Sequence, residues 1–272
     1  MMDNLTSPKS DPDCAIETLS DGLLLRLNRP AKLNAITKPI LLSLAACLDQ
    51  LETDEKVDGR TKILIITAVG PKAFCAGTDL AETAAMSKAE RETKTVMARD
   101  LLVRLSRSNV ISVAAINGLA FGGGMELAMA CTFRVAADHA TFSLPEIKLG
   151  LLPAYGGTQF LPPLVGKARA LEIMLTGMVL SASEARDMGL VNRLARTESL
   201  LEDSLAMAAE VTRFSPLAIQ AIRECVVAAS EALSDAGLNV EDRAVRRVFT
   251  SEDAQEGIAA FLEKRPAVFR GR

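Results

Sequence analysis

The chain has 272 residues, 49% of them hydrophobic and 24% charged, with a formal net charge of -3. That composition supports a sizeable buried core and argues against a disordered chain or a coiled coil. The charge is nearly balanced and no basic run is present to track phosphates, so nucleic acid is not expected as a partner.

Residues 1–13 are polar and contain Pro8 and Pro12, which reads as a disordered tail. Lys9 is the only basic side chain before residue 26, a pattern that fits neither a signal peptide nor a transit peptide. Cys14 to Leu19 and Leu23 to Asn28 flank Ser20-Asp21-Gly22 and read as two strands joined by a tight turn, ended by Arg29-Pro30. From Pro39 to Leu51, the residues Ile40, Leu41, Leu44, Ala45, Leu48 and Leu51 recur at helical spacing. Lys62 to Ala68 and Val110 to Ile116 are short unbroken apolar runs, the pattern of strands covered on both faces. Between them lie a Gly/Pro loop, Gly70 to Asp79, and a charged helical stretch, Lys88 to Arg107. Strands alternating with helices imply right-handed crossovers and a largely parallel sheet. After Phe142 the pattern becomes mostly helical through to Arg265. Ser181 with Glu184 fits a capping box there, and Ser215-Pro216 fits an N-cap followed by a first-turn proline. No stretch is apolar for long enough to span a membrane.

Four segments carry chemistry. Ala73 to Leu80 (AFCAGTDL) is a loop after an apolar strand, in which Gly77 permits a turn that exposes the next N–H. Asn117 to Leu127 (NGLAFGGGMEL) runs through three glycines into a helix, so unpaired amides face outward next to Glu126. Leu144-Pro145-Glu146 places a second carboxylate on a loop, and Leu152 to Thr158 (LPAYGGT) is another Gly-rich turn before a helix. Two amides from different loops aimed at one point make an oxyanion hole. Two carboxylates beyond it can hold a water and share a proton, which raises the pKa of one of them.

These segments, together with Leu27-Asn28-Arg29-Pro30, Leu33-Asn34-Ala35, LPEIKLGLLPAYGGTQ, Leu175-Thr176-Gly177, ARDMGLVN and Phe261 to Arg265, resemble the enoyl-CoA hydratase/isomerase (crotonase) superfamily. The resemblance runs from about Cys14 to Phe269. It implies an α/β fold with a crotonase-like spiral core of ββα units over 14–195 and a helical C-terminal trimerisation region over 196–272. It further implies that the amides of Thr78 and Gly123 form the oxyanion hole, with Glu126 as base and Glu146 as acid. The Ala154 amide would help hold the water. Ala31, Lys32, Leu33, Ala76, Asp79, Leu80 and Gly122 would line the acyl-CoA site, and Phe261 and Lys264 would reach the CoA of a neighbouring subunit. Retention of both glutamates favours hydration of a 2-enoyl-CoA, with no cofactor beyond the CoA of the substrate, in a cytoplasmic homotrimer or hexamer. Isomerase, carnitinyl-CoA-type dehydratase and hydrolase activities, or a CoA-binding module without catalysis, stay open.

Four positions depart from the commonest hydratase pattern. Leu144 stands where glutamine is frequent, Ala154-Tyr155 replaces small residues, and Ala81 lacks a basic side chain. Tyr155, the only tyrosine, would narrow the acyl pocket or donate a hydrogen bond to an unusual acyl group. The five cysteines are scattered without a C-x-x-C pair, which suits reduced thiols and gives no zinc site. Cys75 reads as small and buried, His139 as a surface or turn residue, and Met125, Met129 and Met174 as core fillers.

Overall fold

The computed structural model describes residues 13–228, 243, 245, 247 and 250–272. Positions 1–12 of the expected tail lie outside them. Asp13 does not behave as tail: its carbonyl accepts from the Asn28 amide at 2.8 Å, and its carboxylate accepts from Thr37 and pairs with Arg29.

The first hairpin joins β1 (Cys14–Leu19) antiparallel to β2 (Gly22–Leu27). β2 then pairs in parallel with β3 (Ile63–Ala68), β3 with β5 (Ile111–Ile116), β5 with β7 (Phe133–Ala137) and β7 with β10 (Arg193–Ala195). All six residues of both β3 and β5 are buried, as their unbroken apolar runs require. Alternate side chains feed two separate cores. Leu64, Ile66, Ala114 and Ile116 pack with α1 (Lys38–Asp58) and α3 (Lys88–Arg107). Ile63, Ile65, Val113 and Ala115 pack with Leu200, Met207 and Ala208 of α8 (Leu200–Thr212) and Ile219 of α9 (Pro216–Ala228). Helices from beyond residue 195 thus close the second face of the sheet.

A second, smaller sheet runs β4 (Ala73–Cys75), β6 (Leu119–Phe121), β8 (Thr141–Ser143) and β9 (Leu180–Ser181), parallel except for β9. Each turn of the chain adds one strand to the large sheet and the next to the small one: β3 then β4, β5 then β6, β7 then β8. This is the ββα spiral that the resemblance implied.

The structure differs from the sequence reading in three places. β4 lies inside the expected Gly/Pro loop, and β9 and β10 interrupt the expected helical remainder. These strands are two or three residues long, too short to show a period of two. α1 continues past Leu51 to Asp58, where Gly59 at φ +66° returns its amide to the Glu55 carbonyl. Its end is set by that cap rather than by the apolar stripe. Both expected caps form: Ser181 and Glu184 make a reciprocal box at α7 (Ala182–Asp187), and Ser215 accepts from the Ala218 amide ahead of α9. Among the described residues no helix is long and apolar enough to cross a membrane.

Candidate active site

Three of the four chemical segments leave the carboxyl ends of three adjacent strands in the small sheet. β4 ends at Cys75 and leads to Thr78, β6 ends at Phe121 and leads to Gly122 and Gly123, and β8 ends at Ser143 and leads to Glu146. The carboxyl edge of a parallel sheet is where open α/β folds bind ligands. The spiral therefore converts three distant motifs into one cluster. Their contacts are close: the Gly122 amide donates to the Ser143 carbonyl at 2.9 Å, and a Cβ built on Gly77 would lie 3.2 Å from the Gly123 nitrogen.

The local backbone leaves the Thr78 amide unused by its bridge and the Gly123 amide unused by its helix. Thr78 forms an isolated parallel bridge with Ile36, through the Ile36 amide to the Gly77 carbonyl at 2.7 Å and the Asp79 amide to the Ile36 carbonyl at 3.0 Å. In that pattern the N–H of Thr78 points away from Ile36. Gly123 is the first residue of α4 (Gly123–Ala130), where an amide has no acceptor within its own helix. Gly122 enters the helix at φ +52° and ψ -127°, a region closed to side chains. Two residues later, a Cβ on Gly124 would stand 2.1 Å from the Cys75 carbonyl oxygen. The absence of a side chain there lets α4 seat against β4.

Glu126, in the first turn of α4, is 2% exposed. Its Oε1 accepts from the Tyr155 amide at 2.8 Å and the Gly157 amide at 2.7 Å, where the LPAYGGT turn enters α5 (Gly157–Val165). Burial pushes its carboxyl up to about 7; the two amides pull the other way, and the charge of Glu146 pushes in the same direction as burial. Glu146 opens a 3-10 turn, Glu146–Leu149, after Pro145. Burial raises its pKa too, against the pull of its own backbone amide. Its Oε1 sits 3.0 Å from where a Gly122 Cβ would be, and its Oε2 is buried with no hydrogen-bond partner. The two acids thus lie close enough to interact electrostatically, one pinned by amides and the other partly unmatched.

Beside them lies a thoroughly bonded region. Asn34, fully buried at φ +54°, accepts from the Arg29 amide and donates to the Val69 and Ala73 carbonyls. Arg29 reaches the Ala35 carbonyl and the Asp79 carboxylate, both at 2.9 Å. Asp79 also caps α2 (Leu80–Ala85) by accepting from the Ala81 and Glu82 amides, and these bonds with Arg29 hold its pKa down. The Ala76 amide donates to the Leu33 carbonyl at 3.0 Å, which ties the first segment to the exposed turn of Ala31, Lys32 and Leu33. Leu80 and Ala154 are exposed. Lys264 is exposed beyond the terminal helix Glu252–Glu263, and the side chain of Phe261 lies outside the described residues. Neither belongs to the strand-end loops.

Sequence reasoning missed which amides grip Glu126. It assigned only the Ala154 amide of this turn, to a water, and did not foresee that the Tyr155 and Gly157 amides bond Glu126. It also missed Lys94, a buried lysine of α3 that donates to Thr78 Oγ1 and the Ile36 carbonyl, both at 3.3 Å, and pairs with Glu82. One charge in a charged helix gives no signal. The Tyr155 hydroxyl donates to Thr78 Oγ1 at 2.9 Å, so it is already engaged within the protein. Cys75 is buried, His139 exposed, Met125 and Met129 buried and Met174 partly buried, as expected from the sequence.

Comparison with known proteins yields one family. The sequence profile of "Enoyl-CoA hydratase/isomerase" matches residues 21–272. The 2,3-dehydroadipyl-CoA hydratase of Escherichia coli (strain K12) is 39% identical over 250 residues, covering 92% of this chain and 95% of the relative. A probable enoyl-CoA hydratase of Bacillus subtilis (strain 168) is 40% identical over 247 residues, covering 90% and 93%. The crystal structure of the enoyl-CoA hydratase from Bacillus anthracis superposes with a TM-score of 0.89 at 33% identity, over 96% of this chain and all of that one. With its spiral of paired strands and the cluster at their carboxyl ends, the chain belongs to the enoyl-CoA hydratase/isomerase family.

Proposed function

We propose that the protein is an enoyl-CoA hydratase that adds water across the double bond of a 2-enoyl-CoA to give the 3-hydroxyacyl-CoA. The observation that carries this reading is the carboxylate pair: Glu126 pinned by two amides and titrating near 7, and Glu146 beside it with a buried oxygen left unbonded. In the proposed reaction the Thr78 and Gly123 amides receive the thioester oxygen, where negative charge grows as water attacks Cβ. Glu126 takes the proton of that water, for which a pKa near the working pH is well suited. Glu146 supplies a proton to Cα. With the two acids as neighbours, oxygen and hydrogen would be delivered to the same face of the double bond, a syn addition. Every step is a proton transfer or a carbon–oxygen bond formation, so the reaction calls on no metal or redox group.

The exposed turn Ala31–Leu33, the backbone from Ala76 to Leu80 and Gly122 would hold the CoA moiety. Phe261 and Lys264 would serve the site of a neighbouring subunit in a cytoplasmic homotrimer or hexamer. The test is a panel of 2-enoyl-CoA thioesters of differing chain length and branching, with products identified by mass and free thiol measured in parallel. Hydrated product with no release of CoA, unchanged by a chelator, is the expected result. A shifted double bond without added water, or released CoA, would replace hydration by isomerisation or hydrolysis. Light scattering of a fully active monomer would remove the subunit roles of Phe261 and Lys264.

A further inference from the structure

One residue touches Thr78, Gly123 and Glu126. Tyr155 is 6% exposed, and its backbone amide holds Glu126 Oε1. Its ring lies against Gly123: Cδ2 and Cε2 are each 3.0 Å from where a Gly123 Cβ would stand. Its hydroxyl reaches across to Thr78 Oγ1 at 2.9 Å. The ring therefore bridges the two loops whose amides are assigned to the thioester oxygen. Those loops leave different strands, and nothing in the strand pairing alone fixes their separation to a few tenths of an ångström.

Thr78 is in turn held from its other side. Lys94 Nζ donates to the same Oγ1 at 3.3 Å and to the Ile36 carbonyl, and pairs with Glu82. Thr78 Oγ1 thus accepts two donors, one from the Gly123 side through Tyr155 and one from α3 through Lys94. Burial keeps the phenol protonated by raising its pKa, so it remains a donor.

We propose that Tyr155 is the positioning residue of the oxyanion site, a brace that sets the spacing of the Thr78 and Gly123 amides and couples it to the placement of Glu126. The inference rests on the hydratase reading given above. A smaller residue here would leave the Gly123 loop without its packing surface and Thr78 without its bridge. Such a side chain narrows the site and stiffens it together. Misplacement of catalytic donors by even about 1 Å costs on the order of 100-fold in rate, so a brace at this point has leverage.

The test compares the wild type with Tyr155→Phe, Thr78→Val and the double variant, all of which keep the backbone amides. The readouts are the infrared carbonyl stretch of bound butyryl-CoA labelled with 13C at the carbonyl, and steady-state hydration of crotonyl-CoA. In the wild type the bound carbonyl shifts to lower frequency than in water. In Tyr155→Phe we expect a smaller downshift, a kcat lower by about 10-fold and a KM within about 2-fold, the split expected when an interaction made in the transition state is lost. Thr78→Val, which also takes away an acceptor of Lys94, should lose at least as much, and the double variant should be no worse than Thr78→Val, because both single changes break the Tyr155–Thr78 bond. Thr78→Ser should restore the wild-type shift. Because Tyr155 is the only tyrosine and the chain has no tryptophan, protein fluorescence reports this side chain alone. Its emission should change when S-butyryl-pantetheine binds.

A wild-type downshift that persists in full in Tyr155→Phe with unchanged kcat overturns the brace, as do losses that multiply in the double variant. No downshift in the wild type would instead sink the hydratase reading itself.

Discussion

Two polar clusters flank β4 of the small sheet, and they are built on opposite rules. In the first, around Asn34, Arg29 and Asp79, amides, carbonyls and charges are matched across four chain segments, and Asn34 is buried with three bonds made. In the second, buried Glu126 neighbours half-buried Glu146, whose charge would push the Glu126 pKa up, and one buried oxygen of Glu146 has no partner. Matched groups fix shape. Unmatched buried groups cost stability and persist where they do chemistry. On the proposed reading the first cluster holds the CoA-side loops and the second carries the reaction.

The most severe break falls on neither cluster but on the seat between them. Gly124→Ala puts a Cβ 2.1 Å from the Cys75 carbonyl, backbone against backbone. It should destabilise the protein by more than about 3 kcal/mol, read as a collapse of soluble yield or of Tm.

Asn34→Ala tests the matched cluster. It leaves the Arg29 amide and the Val69 and Ala73 carbonyls without their partner and places alanine at positive φ. A stability loss of about 2 to 3 kcal/mol in urea titrations is expected, with KM for the CoA thioester raised and kcat changed little.

The reactive cluster should respond with the opposite sign. Glu126 has a folded pKa of about 7 against an ordinary 4.5, so the native state keeps a proton that the unfolded chain releases between those values. The group's contribution to stability is therefore highest below pH 4.5, falls as pH rises towards 7 and is lowest above it. Glu126→Gln removes the burdened charge. It should melt higher than wild type by about 5 °C at pH 8, and the gap should close towards pH 5. A gain in stability with a loss of activity is the mark of a functional group, whereas Asn34→Ala loses stability first.

Smaller effects refine the picture. Because the charge of Glu146 helps to raise Glu126, Glu146→Gln should move the infrared titration of the Glu126 carboxyl to lower pH. Lys264→Ala, at an exposed position, should raise KM by only about 2-fold to 5-fold and leave kcat alone, since a solvated charge contributes little.

Much of this arrangement was legible in the sequence, for physical reasons. β3 and β5 announced themselves because a strand covered on both faces needs an unbroken apolar run. The Gly122 to Gly124 triplet before Glu126 was readable because close backbone approach admits nothing larger. The short strands β4, β6 and β8 carried too few residues for a periodic pattern, yet they aim the site. Contacts between distant segments left no local trace: Asn34 to Ala73, Lys94 to Thr78 and Tyr155 across to Thr78 exist only once the spiral has formed. For the same reason nothing in the sequence signalled that the Gly-rich turn delivers the amides of Tyr155 and Gly157 to Glu126.

The most direct test of the central claim, that Glu126 and Glu146 work as one unit, is kcat/KM for hydration of an accepted 2-enoyl-CoA by Glu126→Gln, Glu146→Gln and the variant carrying both. Each single change should cost about 100-fold to 10,000-fold, and the combined change should cost about the same as the worse single, because either loss disables the pair. Undiminished hydration in either single variant, or losses that multiply in the double, would contradict the account.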